Sequence, residues 1–331
     1  MVSIKDVAKH AGVAISTVSK VLNHYPNVSE ATKRKVNEAI KELGFVPNAV
    51  AAALSSKRSG RVALLINLNT QRQAIDEISM RYLSGAINRA VELNLDVITV
   101  FFSMIRDKSL EEIVRYLQSQ SIDGIIIFGM STKDTVLHEL VESQIFKIVL
   151  VDAPVINEST SCVWVDQEQA QYDVVKHTIQ MSRYHYKKLL YIAGKREAYV
   201  TENRLHGIER VAEEMKLELT VRDGDFSELA ARNITLEAGE DADIIACASD
   251  LMAIGAMRAL IDMDVFHPVC GFDGITLMGY AGMQMNTAKQ DFAMIAARAL
   301  EEVNRLLTGG EGEEIIVAHT LERLQYLDII C

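Results

Sequence analysis

The polar side chains of residues 15–23 are arranged for contact with nucleic-acid bases. In the segment ISTVSKVLN, three apolar residues recur at helical spacing and point inward, namely Val18, Val21 and Leu22. The residues left for the outer face are Ile15, Ser16, Ser19, Lys20 and Asn23. Serine, lysine and asparagine can hydrogen-bond base edges, and lysine also reaches phosphate. The pattern predicts a DNA-reading face, although any three-helix bundle with a solvated polar side would share it.

The carboxylate of Asp273 indicates a second kind of chemistry. Asp273 directly follows the apolar run VCGF, which is typical of a short strand. An aspartate at a strand end is a poor core residue but a good hydrogen-bond acceptor. Ligand clefts in α/β proteins lie near the carboxyl ends of strands. We therefore predict that Asp273 faces a small ligand.

Three short helices are predicted to position the polar side chains of residues 15–23. Ser3 and Asp6 form a capping-box pattern at the start of the first helix, and Gly12 breaks it. The second helix is the segment described above. Ser29 can cap the third helix, which Gly44 ends as expected of a C-terminal glycine. The first two helices and their glycine turn make a helix–turn–helix pattern.

From Val62 onward, short β-branched runs alternate with amphipathic segments. This alternation is typical of βαβ units with parallel strands, and the number of strands predicts two such subdomains. In the segment ASDLMAIGAMRAL, Asp250 is predicted to cap a helix. Trp164 lies on a predicted strand and is expected in the core.

The charge distribution separates the two parts of the chain. Residues 1–60 carry nine Lys/Arg against four Asp/Glu, whereas the remainder carries 25 against 41, for a net charge of −11 overall. A basic head on an acidic body suggests that only the head meets a polyanion.

Several classes of protein are disfavoured by what the sequence lacks. No stretch is apolar enough for a signal peptide or a membrane span. The four cysteines are widely separated, and with no Cys/His cluster we expect no metal, no cofactor and a reducing cytoplasm. We find no GxGxxG at a strand–helix junction, P-loop, GxSxG or HExxH pattern, so an enzyme is not predicted.

The segment IKDVAKHAGVAISTVSKVLNHYPNVSEATKRKVNEAIKELGFVPNAVA resembles the head of the lactose-repressor (LacI/GalR) family, and weaker similarity covers nearly all of the remainder. The resemblance implies an all-α helix–turn–helix head with a hinge helix, and a periplasmic-binding-protein-like body of two Rossmann-like lobes. It divides the chain into a DNA-binding domain at 1–46, a hinge and linker at 47–60, and an effector-binding and dimerisation domain at 61–331. The N-lobe is expected at about 61–160 plus 290–320, and the C-lobe at about 161–289 plus 321–331.

The resemblance also implies residue roles. Those expected at DNA are Ser3, Ile15, Ser16, Thr17, Ser19, Lys20, Asn23, Asn27, Ser29, Thr32, Asn48, Ala51 and Leu54. Leu54 matches the leucine that family members wedge into a central base step from the minor groove. Those expected at the effector are Asn67, Asp152, Arg204, Phe226, Ser249, Asp273 and Phe292. Carboxylates and a guanidinium suit sugar hydroxyls, and aromatic rings suit the apolar face of a pyranose.

Several features depart from the family pattern, two of them at single residues. Many members carry Asn or Thr where Ser249 stands, and a second Asp where Gly274 stands. The identity of the effector is therefore not transferable, and a phosphorylated sugar stays open because Lys195 and Arg196 lie near Arg204 in sequence.

The expected protein is a cytoplasmic, nucleoid-associated regulator that binds a pseudo-palindromic operator as a homodimer. The C-terminal segment HTLERLQYLDIIC is too short for sustained heptads, which favours a dimer over a tetramer. Release of the operator by a sugar or sugar phosphate is the default expectation. The alternatives are control by a co-repressor or a partner protein, a sugar-binding protein without gene regulation, and a constitutive DNA binder.

Overall fold

The computed structural model describes residues 2–22, 28–45, 61–67, 73–281 and 283–323. The chain divides into two units, Met1–Ser59 and Gly60–Cys331. The predicted hinge helix at 47–60 lies outside the described residues, so each unit is described by itself. In the described part of the chain, no helix is long and apolar enough to cross a bilayer.

The first unit contains the three predicted helices, α1 (Ile4–Ala11), α2 (Ile15–Leu22) and α3 (Glu30–Leu43). Ser3 and Asp6 form the capping box of α1, and Ser29 caps α3. Gly12 and Gly44 end α1 and α3 with φ of 66° and 59°, a region that glycine enters without steric cost. The buried core consists of Val7, Ala8, Val18, Val21, Val36 and Ala39.

The first lobe of the second unit is a six-stranded sheet with helices between its strands. Its first eight elements are β1 (Arg61–Ile66), α4 (Gln73–Leu93), β2 (Asp96–Phe101), α5 (Leu110–Ser119), β3 (Ile122–Phe128), α6 (Thr135–Glu142), β4 (Lys147–Val151) and β5 (Thr160–Val165). Every pairing in this sheet is parallel, and a later strand, at 314–317, pairs with β5. The near-continuous apolar strands follow from burial on both faces.

The second lobe repeats this architecture. Its elements are α7 (Gln167–Gln180), β6 (Lys188–Ala193), α8 (Tyr199–Met215), β7 (Glu218–Asp223), α9 (Glu228–Ala238), β8 (Ile244–Cys247), α10 (Asp250–Asp262), β9 (Val269–Asp273) and β10 (Asn286–Lys289). The chain then returns to the first lobe through α11 (Phe292–Leu307) and β11 (Glu314–Val317), and ends its described part in the second lobe with β12 (Thr320–Arg323). The strand orders are β11-β5-β4-β3-β1-β2 and β12-β10-β9-β8-β6-β7. The predicted pair of Rossmann-like lobes is confirmed.

One predicted lobe boundary is wrong. The C-lobe was expected to begin near residue 161, but β5 pairs with β4 and β11 in the first sheet. All six residues of β5 are buried, because both faces of the strand are covered. The first crossing between the lobes therefore follows Val165, and two further crossings lie between β10 and α11 and between β11 and β12.

A glycine allows α4 and α11 to approach closely. A Cβ on Gly85 would lie 2.1 Å from the carbonyl oxygen of Ala293, so no larger residue fits without a shift of the backbone. This close approach brings the ring of Tyr82 on α4 to 5.1 Å from that of Phe292 on α11. The Tyr82 side chain reaches the polar residues described next, because its hydroxyl donates to Asp152.

Candidate effector site and DNA-binding surface

The outer face of α2 carries the predicted DNA-reading side chains. Val18 and Val21 are buried, whereas Ile15 is 45% exposed and Ser16 and Lys20 are exposed. Thr17 and Ser19 are half-buried on the same helix. A large aliphatic side chain exposed beside polar ones is suited to contact with base edges and thymine methyl groups.

Three other residues predicted at DNA lie at helix starts. The Ser3 hydroxyl accepts a hydrogen bond from the Asp6 amide, and Ser29 does the same for the Thr32 amide at 3.3 Å. The hydroxyls of Ser29 and Thr32 lie 2.9 Å apart. Helix N-termini are favourable positions for phosphate groups, so capping does not exclude contact with the DNA backbone. The other predicted contacts, at Asn23, Asn27, Asn48, Ala51 and Leu54, lie outside the described residues.

A buried polar cluster lies between the two lobes of the body. Arg204, on α8, is 4% exposed, and its Nε donates to Oε1 of Gln167 at 2.9 Å. Its Nη1 donates to the carbonyl of Ala248, and its Nη2 lies 3.9 Å from Oδ1 of Asp273. The guanidinium carbon sits 3.8 Å above the ring of Phe272. Arg204 thus joins groups that follow several different strands.

Three members of this cluster were missed by the sequence analysis. The Tyr82 hydroxyl donates to Oδ2 of Asp152 at 3.2 Å, and Gln167 Nε2 donates to Oδ1 of the same carboxylate at 3.3 Å. Gln290 Nε2 donates to Oδ1 of Asp273 at 3.1 Å. We define the polar cluster as Tyr82, Asp152, Gln167, Arg204, Asp273 and Gln290.

The strand-end rule that indicated Asp273 could also have found two of the missed residues. Gln167 lies two residues after β5, and Gln290 follows β10 directly. Both lie at the carboxyl edge of a sheet, where ligands bind in such folds. Tyr82 lies in the middle of α4 and carried no sequence signal, because a tyrosine on a helix is usually a core residue.

The backbone is strained at two carboxylates of the cluster. Asp152 has a φ of 64° and Asp273 a φ of 122°, both in the left-handed region that non-glycine residues rarely adopt. Such conformations are found at functional sites, where the surroundings hold them in place. At both positions the strain turns a carboxylate away from its strand and into the cluster.

Burial dominates the electrostatics of this cluster. It raises the pKa of Asp152, although Arg204 and the Tyr82 hydroxyl oppose the shift. It raises the pKa of Asp273 to about 8, against the attraction of Arg204. The pKa of the Tyr82 hydroxyl is also raised well above its usual value by burial and by the neighbouring Asp152 carboxylate. Perturbed pKa values of this kind are concentrated at functional sites.

The predicted capping role of Asp250 is wrong in detail. Ser249 is the N-cap of α10, and its hydroxyl accepts from the Met252 amide at 3.3 Å. The fully buried Asp250 carboxylate accepts from the amides of Gly274 and Ile275 at 2.7 and 2.8 Å and from the Thr287 hydroxyl at 2.7 Å. Asp250 therefore fixes the loop that follows Asp273. The side chains of Ser249 and Asp250 thus both have hydrogen-bond partners within the protein. Ser249 directly follows Ala248, whose carbonyl accepts a hydrogen bond from Arg204.

Both glycines of the GFDG segment are needed for this arrangement. A Cβ on Gly271 would lie 2.3 Å from Oδ1 of Asp250. A Cβ on Gly274, which has a φ of 75°, would lie 2.4 Å from Cγ of Lys289. The departure from the family pattern at position 274 thus coincides with tight backbone packing against β10.

The other predicted effector residues are placed differently. Phe292 is 2% exposed and packs against Tyr82 at the edge of the cluster. The ring of Phe226 covers Gly194 at the end of β6, where a Cβ would lie 2.2 Å from its Cζ. Asn67 is exposed and lines a separate cavity of about 260 Å³ with Phe102, so the structure does not bring it into the cluster.

Direct hydrogen bonds tie the lobes together beside the cluster. The Glu77 carboxylate on α4 accepts from the amide and the hydroxyl of Thr276 at 2.9 and 2.7 Å. Arg81, one turn further along α4, donates to the Gly274 carbonyl at 3.2 Å and to the Thr276 hydroxyl at 3.1 Å. We call these four groups the interlobe bridge. The bridge adjoins Asp273, because Gly274 is the next residue in the chain.

The three-helix unit and the two-lobed α/β unit are each found in known regulatory proteins. Residues 3–48 match the family described as bacterial regulatory proteins, lacI family. Residues 78–283 match the periplasmic binding proteins and sugar binding domain of LacI family. This chain belongs to the LacI family and is a DNA-binding transcriptional regulator with a small-effector domain.

Individual relatives extend over most of the chain. Catabolite control protein A of Priestia megaterium is 29% identical, over 95% of this chain and 94% of that protein. The ribose operon repressor of Halalkalibacterium halodurans is 30% identical, over 91% of this chain and 89% of that protein. The lac repressor dimer bound to operator and the anti-inducer ONPF has the same fold, with a TM-score of 0.80 and 23% identity over 97% of this chain and 98% of that one.

Proposed function

We propose that this regulator represses genes of carbohydrate use and is released from its operator by a neutral, sugar-like effector bound at the polar cluster. The observation that carries the proposal is the convergence of buried hydrogen-bonding groups from both lobes on one place. Buried polar groups are costly unless partnered, and those here are hydrogen-bonded to each other across the two lobes. A hydroxyl-rich ligand can replace these partners, because each hydroxyl both donates and accepts.

The charge of the cluster favours a neutral sugar over a sugar phosphate. Among the described residues of the cluster, Arg204 is the single cation. Its guanidinium already donates hydrogen bonds to Gln167 and to the carbonyl of Ala248. Arg196, one of the two extra cations expected for a phosphate, instead pairs with Asp223 at 3.0 Å through its Nε and is 83% exposed. A phosphate would therefore meet carboxylates without a matched cationic partner.

The interlobe bridge supplies a route from ligand to DNA. An effector bound to Asp152 on one lobe and Asp273 on the other favours one relative orientation of the lobes. The lobes are also joined by the hydrogen bond between Glu77 and Thr276. A change at the ligand site therefore affects the orientation of both lobes. A coupling of about 1–3 kcal/mol, or roughly 5–150-fold in operator affinity, is typical of such linkage.

The head is proposed to read the major groove through α2, with Ile15, Ser16, Ser19 and Lys20 at base edges or phosphate. The exposure of Ile15, Ser16 and Lys20 and the basic surplus of residues 1–60 support this role. Two heads are needed to reach two half-sites of a pseudo-palindromic operator, so a homodimer is proposed.

The proposed dimer face includes the exposed side of α4. Met80, Ile87 and Val91 recur at spacings of seven and four and are 62%, 49% and 76% exposed. The opposite side of α4 packs against α11. An exposed apolar stripe on the side of a helix that faces away from its own core is suited to association with a second copy through a two-fold contact. The solved relative described above is likewise a dimer.

Replacing Val91 with aspartate should convert the dimer to a monomer in sedimentation velocity at micromolar concentration. Each dimer would bury two unpaired carboxylates, and a loss of about 1.4 kcal/mol already raises the dissociation constant tenfold. Operator affinity should fall with it. Ile316→Asp is the matched control, because Ile316 is 58% exposed on the opposite edge strand β11. A Val91→Asp protein that stays dimeric would rule out this face.

The effector proposal is tested by thermal shift with free sugars, disaccharides, sugar phosphates and nucleobases. A ligand at 100 times its dissociation constant should add about 2.7 kcal/mol to the free energy of unfolding. The hit should then weaken binding to an operator fragment recovered from genomic DNA, as read by fluorescence anisotropy. A sugar phosphate hit would contradict the charge argument. No hit, together with a co-purifying protein, would favour the partner-controlled alternative.

A further inference from the structure

Several buried polar atoms of the second lobe lack a hydrogen-bond partner within the described part of the chain. They are Nε2 and Oε1 of Gln171, the hydroxyl of Tyr191 and Oδ1 of Asn286. The Gln171 and Tyr191 side chains are completely buried, and Asn286 is 6% exposed. Such atoms are rare in native proteins, because burial separates a polar group from water without replacing the lost hydrogen bond. A buried partner is therefore expected for them.

Tyr191 and Asn286 lie on one face of the second sheet. Tyr191 on β6 is in register with Ala246 on β8. Ala246 is in register with Cys270 on β9, and Cys270 with Asn286 on β10. Residues paired directly across neighbouring strands point to the same face of a sheet. The Asn286 amide donates to the Thr178 hydroxyl of α7 at 2.9 Å, so α7 covers this face.

Gln171 lies on the side of α7 that packs against the same face. Four buried residues recur on this side at spacings of four, three and four, namely Gln167, Gln171, Val174 and Thr178. Gln167 reaches the carboxyl end of β10, where its Nε2 lies 3.4 Å from Oε1 of Gln290. Thr178 reaches the start of the same strand. Gln171 therefore lies between these two positions, over the middle of β10.

The layer between α7 and the second sheet adjoins the polar cluster. Gln167, one turn before Gln171, accepts a hydrogen bond from Nε of Arg204 at 2.9 Å. Its own Nε2 lies 3.3 Å from Oδ1 of Asp152 and 3.4 Å from Oε1 of Gln290, and both distances are long for an N–H···O bond. Among these partners, Arg204 alone holds the Gln167 amide firmly.

The same layer extends from the cluster toward the surface. Tyr191 approaches the cluster from the sheet, and burial raises the pKa of its hydroxyl against the attraction of Arg204. At the other end of the layer, Thr178 and Asn286 line an open cavity of about 510 Å³. The unpartnered atoms thus lie along a course that begins at the polar cluster and ends beside solvent.

We propose that ordered water molecules occupy the layer between α7 and the second sheet, bind Gln171 and Tyr191, and thereby hold Gln167 in position for the effector. We call this layer the hydration site, and Gln171 is its positioning residue. A buried water typically makes two to four hydrogen bonds as donor and acceptor, so water can satisfy both the nitrogen and the oxygen of the Gln171 amide. The positioning role rests on the proposed function, because it requires that the polar cluster bind the effector, whereas the presence of water does not.

A crystal structure of the full chain tests the hydration site directly. We expect ordered solvent within about 3.2 Å of the Gln171 amide and of the Tyr191 hydroxyl. Tyr191→Phe removes that hydroxyl and keeps the shape of the ring. Its melting temperature should fall by about 2–4 °C, and its crystals should lose the solvent next to residue 191. A dry layer in the parent, or a rise in melting temperature, would overturn the proposal, because removing a truly unpartnered group stabilises a protein.

Gln171→Met tests the positioning role, because methionine has a similar length and no amide. Isothermal titration calorimetry with a panel of free hexoses and pentoses should show binding weakened by about fivefold or more, as expected for the loss of one buried hydrogen bond. The order of preference among sugars that differ in one hydroxyl should also change, since Gln167 is no longer held in one orientation. A purely structural role would weaken binding of all the sugars equally. Gln180→Met is the matched control, because Gln180 is exposed at the end of the same helix.

The outcomes separate this inference from the proposed function. A parent protein that binds a sugar, together with a Gln171→Met variant of unchanged affinity and preference, would overturn the positioning role. If the parent binds no sugar, the proposed effector class and the positioning role fail together. The solvent in the crystals and the melting temperature of Tyr191→Phe then still decide whether the layer holds water.

Discussion

Replacing Arg204 with methionine should lower the melting temperature of the body by roughly 10 °C and abolish its response to effector. The side chain is 4% exposed and donates to Gln167 and to the Ala248 carbonyl. Removing one member of a buried ionic network typically costs about 3–5 kcal/mol, because its partners stay buried without it. For a domain of this size each kcal/mol shifts the melting temperature by about 2–4 °C.

The loss of stability in Arg204→Met should also depend on pH. Arg204 holds down the pKa values of Asp152 and Asp273, which burial raises. Without the guanidinium, both carboxyl groups are more strongly driven to the neutral form in the folded state, and ionising them costs more. Calorimetry should therefore show a larger deficit at pH 8 than at pH 5. A deficit that is equal at both pH values would contradict this electrostatic account.

Arg196→Met is the matched control for this substitution. Arg196 pairs with Asp223 but is 83% exposed, and exposed pairs contribute little to stability. Its melting temperature and effector response should be close to those of the parent. If both variants lost the response equally, the effect would lie in the charge of the body rather than in the polar cluster.

The sequence was sufficient for features that depend on local chemistry. The capping serines and the left-handed glycines define α1 and α3 because a helix end must satisfy its own backbone groups. The alternation of apolar runs with amphipathic segments predicts the two parallel sheets, since each strand is buried on both faces. The place of Asp273 at the end of a buried strand is confirmed, whereas its contact with a ligand stays a prediction.

The features that the sequence did not predict depend on contacts between residues far apart in the chain. Ser249 and Asp250 are both good capping residues, and the choice between them follows from the amides of Gly274 and Ile275, which only the fold brings to Asp250. β5 was divided between lobes because a buried strand does not reveal which sheet it joins. Asn67 follows β1 as Asp152 follows β4. The rule that ligands bind at the carboxyl ends of strands does not predict the direction in which each side chain points.

Replacing Asp273 with asparagine should have opposite effects on stability and on function. Burial raises the pKa of Asp273 to about 8, so between roughly pH 4 and pH 8 the folded state retains a proton that the unfolded state has lost. The stabilisation linked to this proton is complete below pH 4 and is lost as pH rises through about 8. Asparagine keeps the shape without the titration, so the variant should melt at least about 2 °C higher than the parent at pH 8, a gain of order 1 kcal/mol.

The same substitution should remove the effector response, because it replaces a proposed ligand acceptor while leaving the DNA-binding head unchanged. Asp243→Asn is the matched control, because the pKa of Asp243 is shifted in the opposite direction. The pKa of Asp243 is lowered by the amides of Lys187 and Lys188, so Asp243→Asn should destabilise the protein above pH 5 and leave the response intact. An Asp273→Asn protein less stable than the parent at pH 8 would show that Asp273 is ionised in the folded state. If stability rises and the response disappears together, then the proposed ligand site is held in the fold at a cost, as expected where a buried carboxylate is retained for binding.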